Sequence, residues 1–395
     1  MTKTILLGEV AEIIKGISYR SADYSNSENG IAFVNLKSVA RGGGYNPDGI
    51  KYYAGQIKPS QYVEPGDILI ANTDLTQNRE IIGSPIIMPN IGRSACFSLD
   101  LSKIVVTDTE IVNHRYLFYY LKSPIAREYM LAHSNGSTVM HLSVKAVPNM
   151  EINLPPLDQQ KKIANILSSL DEKIELNRRM NETLEQLGQA LFRHYFVDNP
   201  EAKNWESGRV SDVVRIYSGF AFKSKDFDIN GKYGLVTIKN VQDGSFIKDC
   251  TDHLSEPPPD KTPEYVHLKS GDIILSLTGN VGRVCIVVGR DYLLNQRVAK
   301  LVSDESQAYT YFLFRSKIMK GRMVGISKGT AQKNLSPIET GKLNIKIPPT
   351  NIMSQFEEIA IDLLNMIVSN NEQSQTLTNL RDSLLPKLIS GDIIL

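Results

Sequence analysis

The stretch best equipped for chemistry is Ser327–Ser336, SKGTAQKNLS, which combines glycine, hydroxyl, amide and ammonium groups and contains no carboxylate. Ammonium groups meet phosphate oxygens, and short polar side chains hydrogen-bond to base edges. Lys328, Thr330, Gln332 and Lys333 are therefore candidate nucleic-acid contacts. They lie in a basic run in which Arg315, Lys317, Lys320, Arg322, Lys328, Lys333, Lys342 and Lys346 face only Glu339. A solvated basic face is the competing explanation. SNGSTVMHLS, beginning at Ser134, has the same build and adds Asn135 and Ser137. Other polar turns supply Lys37, Asn72, Thr73, Thr76, Gln77, Asn78, Arg79, Lys239 and Asn240. Thr278, Asn280 and Arg283 of TGNVGR complete the set, in a stretch that suits either a phosphate-binding loop or an ordinary turn.

Catalytic signatures are missing from the sequence. It has no GxxxxGK[ST] and no GxGxxG following a strand, and no Asp/Asn-Pro-Pro-aromatic motif of an amino-methyltransferase. Its Pro-Pro pairs follow Leu154 and Ile347 instead. The six histidines are isolated, and Cys96, Cys250 and Cys285 form no CxxC pair, so no catalytic residue and no metal site is expected. Scattered thiols suit a reducing cytoplasm, and no run approaches the ~20 apolar residues of a membrane helix. The net charge of +1 hides an uneven distribution. Residues 197–349 carry 22 Lys+Arg against 17 Asp+Glu, whereas residues 350–395 carry 2 against 6. Residues 197–349 are thus the electrostatic candidate for a polyanion.

The elements that position these residues occur twice. VAEIIKGISY (from Val10) lies over VVRIYSGFAF (from Val213), FVNLKSV over LVTIKNV, and GDILI (from Gly66) over GDIIL (from Gly271). From Tyr116 onward the offset stays at 193, so that YLFYYLKS matches YTYFLFRS and Leu154-Pro-Pro matches Ile347-Pro-Pro. TDLTQNREIIGSPIIMPN, from Thr73 to Asn90, reads as an extra loop of the first copy. IAFVNL and KIVVTD read as strands, and HRYLFYYLKSPIAREYMLAH reads as one helix.

Each copy ends in a long helix, with Asp158 or Asn351 as its expected N-cap. Positions 163, 167, 170, 174, 177, 181, 184, 188, 191 and 195 follow alternating steps of four and three and form a heptad seam, with Asn177 and Asn181 at its middle. Adding 193 gives a second seam in which Asn370 matches Asn177. A narrow apolar stripe needs a partner. The economical arrangement is an antiparallel pair about a pseudo-two-fold axis, with Asn177 beside Asn370 fixing the register. The usual fate of an amphipathic helix, packing on its own domain, is the alternative. About 38 residues at 1.5 Å per residue make a rod of about 57 Å, long enough to hold two reading heads apart.

On these features the chain resembles the specificity subunits of type I restriction-modification enzymes. The resemblance is carried by the tandem layout, by LPPLDQQKKIANILSSLDEKIELNRRMNETLEQLGQALFRHYF (Leu154–Phe196), and by GDILI/GDIIL and GTAQKNLS. It implies an α+β protein with target recognition domains at 1–155 and 199–348 and spacer helices at 156–198 and 349–395, the helices paired as an antiparallel coiled coil. It also implies a non-catalytic reader of double-stranded DNA in which each domain reads one half of a bipartite asymmetric site. Two methyltransferase subunits would dock on the helices and bring S-adenosylmethionine, and translocase–nuclease subunits would complete the complex. NQRVAKLV (Asn295–Val302) fits the family, whereas its counterpart SLDLSKIV (Ser98–Val105) departs from it. The rival readings are a fused recognition module of a self-contained modifying nuclease and a helical scaffold without a DNA role.

Overall fold

The computed structural model describes residues 3–329 and 332–395, so the candidate Thr330 lies outside the described residues. Two compact units emerge, Met1–Glu172 with Thr378–Leu395, and Lys173–Leu377. The described residues form seven α-helices: α1 (His114–Lys122), α2 (Pro124–Ala132), α3 (Leu157–Phe196), α4 (Gln307–Arg315), α5 (Lys317–Ile326), α6 (Pro337–Gly341) and α7 (Thr350–Ser390).

The first unit is built on an antiparallel sheet in the order Ala11–Lys15, Leu101–Val106, Ile68–Ala71, Pro85–Ile87. In the second unit the order is Arg215–Ser218, Val298–Val302, Ile273–Ser276, Val284–Ile286. A second sheet in each unit contains one parallel pair, Ile31–Val34 with Ala95–Phe97 and Tyr233–Val236 with Tyr292–Leu294. The repeat read from sequence is therefore a repeat of topology and register. One boundary changes: Pro85–Ile87 is a sheet strand matching Val284–Ile286, so the extra loop shrinks to the turn between strands, 74–84 against 279–283.

The recurrent Gly-Asp phrase has a structural purpose. Gly66 and Gly271 sit at φ +98° and +91°, where a side chain would be strained. The following Asp67 and Asp272 accept the backbone N–H of Glu64 and Lys269 and close the turn. Each then meets a largely buried lysine of the neighbouring strand, Lys103 at 3.3 Å and Lys300 at 2.8 Å. Ion pairing with hydrogen bonds is what makes such burial tolerable.

The single helix expected over residues 114–133 is two helices, broken at Ser123 (ψ 158°). Pro124 disfavours helical geometry for the residue before it, but its counterpart Lys317 cannot do so, and Ser316 still breaks the chain (ψ 143°). The shared cause is serine N-capping: Ser123 accepts the N–H of Ala126, and Ser316 that of Met319. The long helices also begin earlier than expected. The Pro156 carbonyl accepts the N–H of Gln160, and the Pro349 carbonyl that of Met353. Asp158 and Asn351 therefore lie inside the first turn rather than at the cap.

In the first unit, Lys3–Leu6 pairs with Glu151–Leu154, the strand that feeds α3. Ile163 and Leu167 of α3 are fully buried in the same core as Tyr116, Leu117, Leu385 and Leu388. Each such side chain contributes roughly 1.5–3 kcal/mol, against under about 1 kcal/mol for an exposed pair such as Arg115–Glu172. Apolar anchoring dominates. In the second unit, Glu206–Arg209 pairs with Asn344–Ile347 ahead of α7, and Phe356, Ala360, Leu364 and Ile367 enter the core with Phe192 and Phe312. Each core thus takes in residues of both long helices. No described helix is long and apolar enough to cross a membrane.

Candidate nucleic-acid interface

Most of the candidate residues lie where strands of each principal sheet turn into loops. In the first unit a small sheet joins Ser134–Asn135 to Met140–Leu142, and the latter to Thr73–Asp74. This brings the Thr73–Arg79 loop beside the Asn135–Ser137 hairpin. Gln77, Asn78, Arg79, Asn135 and Ser137 are exposed at the two tips.

What holds the first loop was not among the sequence candidates. The Asp74 carboxylate accepts the N–H groups of Thr76, Ile81 and Ile82 and the Thr76 hydroxyl. Burial pushes its carboxyl up, yet these hydrogen bonds outweigh burial and hold it below the usual carboxylate range. Arg127 clamps the far side, donating to the Arg79 and Ile82 carbonyls and to Ser84 Oγ. Thr76 therefore serves the loop's shape rather than its surface. Thr73 and Asn72 are buried, Asn72 donating to the Leu99 carbonyl and Thr73 facing Asp100.

The second unit builds the same edge from backbone hydrogen bonds. Lys328 and Asn334 exchange bonds of 2.9 and 2.7 Å, Gly279 N–H donates to the Lys333 carbonyl, and Leu335 N–H to that of Leu277. Lys328, Gln332, Lys333 and Asn280 are exposed, while Thr278 is buried. Lys239 is exposed on a neighbouring turn whose Ile238 reaches Gly279. Asn240 is 2% exposed, its amide donating to the Ile247 and Asp249 carbonyls and its oxygen accepting from Thr237. It shapes that turn and is not available to a ligand. Asn35 does comparable work in the first unit, bracing the turn that exposes Lys37. Arg283 is half-buried and donates to Gln242.

Geometry reshapes the basic run. Arg315 is bound by Glu185 and Asp243, Lys320 also by Asp243, Lys342 by Glu339, and Lys346 donates to the Trp205 carbonyl. Burial works against the Arg315 charge, but Glu185, Tyr311 and Asp243 outweigh it and raise its pKa. Lys328 and Lys333 remain exposed, with no ion pair among the described residues. Two candidates were missed: Gln296 and Arg297, exposed on the turn after Asn295 and directly beside Leu277. The signal was present in NQRVAKLV, where two long polar side chains precede a strand.

Within the second unit, the polar middle of the seam forms one hydrogen-bonded layer. Asn177, fully buried, donates to Gln373 Oε1 (2.9 Å), Ser374 Oγ (3.2 Å) and the Asn370 carbonyl (3.3 Å). Asn370 donates to Asn181 Oδ1, and Asn181 to Asn371 Oδ1, both at 2.9 Å. Phe192 meets Phe356 further along, so residues 177–192 and 356–374 run in opposite directions. In the first unit Arg381 pairs with Asp171 at 2.6 Å, and Tyr119 donates to the same carboxylate.

The family model described as the type I restriction modification DNA specificity domain matches twice, over residues 2–186 and 202–378. The type I restriction enzyme HindI specificity subunit of Haemophilus influenzae is 25% identical, over 97% of this chain and 98% of its own. The MjaIX specificity subunit of Methanocaldococcus jannaschii is 29% identical over 70% of this chain and 68% of its own. Among solved structures, the type I restriction-modification S subunit from M. genitalium aligns with a TM-score of 0.60 at 16% identity, covering 98% and 96% of the two chains.

Proposed function

We propose that this chain, which belongs to the family of the type I restriction modification DNA specificity domain, is the non-catalytic DNA-reading subunit of a type I restriction-modification complex. One observation carries the reading. Two units whose principal sheets share one strand order each present a hairpin and an adjoining loop at the same end of that sheet, and the frames match while the exposed side chains differ. Matching frames with different edges are what a reader of two unlike half-sites requires.

In this proposal the domains divide at 1–155 and 199–348, and α3 and α7 pair along their length as an antiparallel coiled coil with pseudo-two-fold symmetry. The Asn177–Asn370 layer sets their register, and the pair sets the gap between half-sites. Two methyltransferase subunits dock on the helices, where Leu176, Leu187, Ile359 and Met366 leave 44–47% of their surface exposed. S-adenosylmethionine is held by those partners and not by this chain, and translocase–nuclease subunits complete the assembly in the cytoplasm. The test is to map methylated adenines in DNA from cells carrying this chain with its partner subunits. The expected result is one bipartite, asymmetric sequence with a fixed gap. Methyl transfer by the purified chain alone would overturn the non-catalytic assignment.

A further inference from the structure

The two recognition edges superpose bond for bond at one turn. Ser98 N–H donates to the Val34 carbonyl and Asn295 N–H to that of Val236. Leu99 N–H donates to Ile17, and Gln296 N–H to Phe220. Leu101 N–H closes the turn on Ser98, and Val298 N–H on Asn295. The Asp100 carbonyl then accepts Asn72 N–H (2.7 Å) and the Arg297 carbonyl accepts Leu277 N–H (3.0 Å), beside the hairpins at Leu142 and Leu335. Asp100 and Arg297 thus occupy one position of the shared frame with opposite charge.

Their side chains offer opposite hydrogen-bonding faces. The Asp100 carboxylate accepts from Tyr19 Oη (3.2 Å), Ser98 Oγ (3.3 Å) and, at the limit of 3.5 Å, Thr73 Oγ1. A carboxylate has about four acceptor sites and no donor, so three held hydroxyls fix its orientation and leave one acceptor site for a ligand. Arg297 is exposed and forms no ion pair among the described residues. Its guanidinium has only donors, in a planar fork. In the DNA major groove cytosine presents an amino donor, which a carboxylate accepts, and guanine presents two acceptors, which an arginine fork meets.

We propose that Asp100 and Arg297 are specificity-determining residues at matched positions, Asp100 selecting a cytosine through its amino group and Arg297 selecting a guanine in the other half-site. This rests on the DNA-reading function proposed above. An acid at a DNA-facing edge is otherwise unfavourable, because phosphates repel it. Asp100 is tolerable there if it reads a base donor that offsets the repulsion.

The test is selection from randomised duplex DNA by the full chain, repeated with Asp100→Asn and Arg297→Gln. Asp100→Asn keeps shape and backbone carbonyl, and Arg297 is exposed, so at least one variant remains folded. A carboxamide pairs with adenine. Asp100→Asn, with one of its two polar atoms still engaged by the Tyr19 and Ser98 hydroxyls, should lose the preference for one C in one half-site, and Arg297→Gln should convert one G to A in the other, each with a change in preference of about tenfold to a hundredfold. Changes in the same half-site, or a uniform loss of affinity with no change of base, overturn the assignment. Failure of the unaltered chain to select any sequence would instead defeat the DNA-reading function itself.

Discussion

Replacing Lys328 and Lys333 together with alanine isolates the electrostatic share of binding. Backbone bonds through Lys328, Asn334, Lys333 and Gly279 hold the hairpin that carries them, so alanine leaves the frame intact. Both ammonium groups are exposed and neither forms an ion pair among the described residues, leaving them available to phosphates. Each phosphate contact contributes about 0.9 to the slope of log affinity against log salt, so losing two lowers the slope by about 1.8. Between about 50 and 200 mM salt, a fourfold change, the deficit of the double variant should shrink roughly twelvefold. Anisotropy titration of the full chain on a selected duplex, across a salt series, reads this directly. Lys320→Ala and Lys342→Ala provide the contrast, because Asp243 and Glu339 already hold those charges. Parallel salt curves for the double variant and the unaltered chain would return the basic run to a merely solvated face. A changed base preference at constant slope would assign the pair to base readout instead.

Four residues inserted after Asn181 and four after Ser374 should lengthen both helices by about 6 Å. Methylation mapping should then show a gap wider by about one or two base pairs at about 3.4 Å each, with both half-sites unchanged; an unchanged gap in an active complex would refute the ruler. Exchanging residues 1–153 for another recognition domain should alter one half-site only, and alteration of both would defeat the two-module account. Gly188→Ala sets two effects against each other. A helix-interior alanine gains about 1 kcal/mol, but its Cβ would fall 2.0 Å from a ring carbon of the buried Phe312. Overpacking of this kind costs typically 1–3 kcal/mol, so thermal melting should show a Tm lower by a few degrees, and a rise would show that the ring gives way.

The repeat was legible because burial dictates it: GDILI and GDIIL are inward-facing strands with the same turn, and a pattern set by a core survives in composition. Of the seam, the polar layer of Asn177 and Asn370 was legible within the second unit. Asn240 and Thr76 were misread because polarity alone does not reveal whether an amide or hydroxyl faces solvent or satisfies a buried backbone group. The basic run looked stronger than it is, because Asp243 and Glu185, far away in sequence, fold against Arg315. The break at Ser123 needed the second copy for its explanation, since Ser316 produces it without proline.

These misreadings share a cause that bears on how the protein works. The groups that shape each edge are buried and local: Asp74 and Arg127 in one unit, Asn240 and the Lys328–Asn334 backbone pair in the other. The groups left facing outward (Gln77, Asn78 and Arg79; Gln296, Arg297, Lys328 and Lys333) hold nothing else in place. Exposed positions of that kind tolerate substitution within about 0.5 kcal/mol, whereas loss of a buried hydrogen-bond partner costs about 1–3 kcal/mol. On the proposed function, stability and recognition are therefore carried by different atoms of the same loops. Substitution at those outward positions can change what an edge presents without weakening the sheet beneath it or the apolar anchors of the helices.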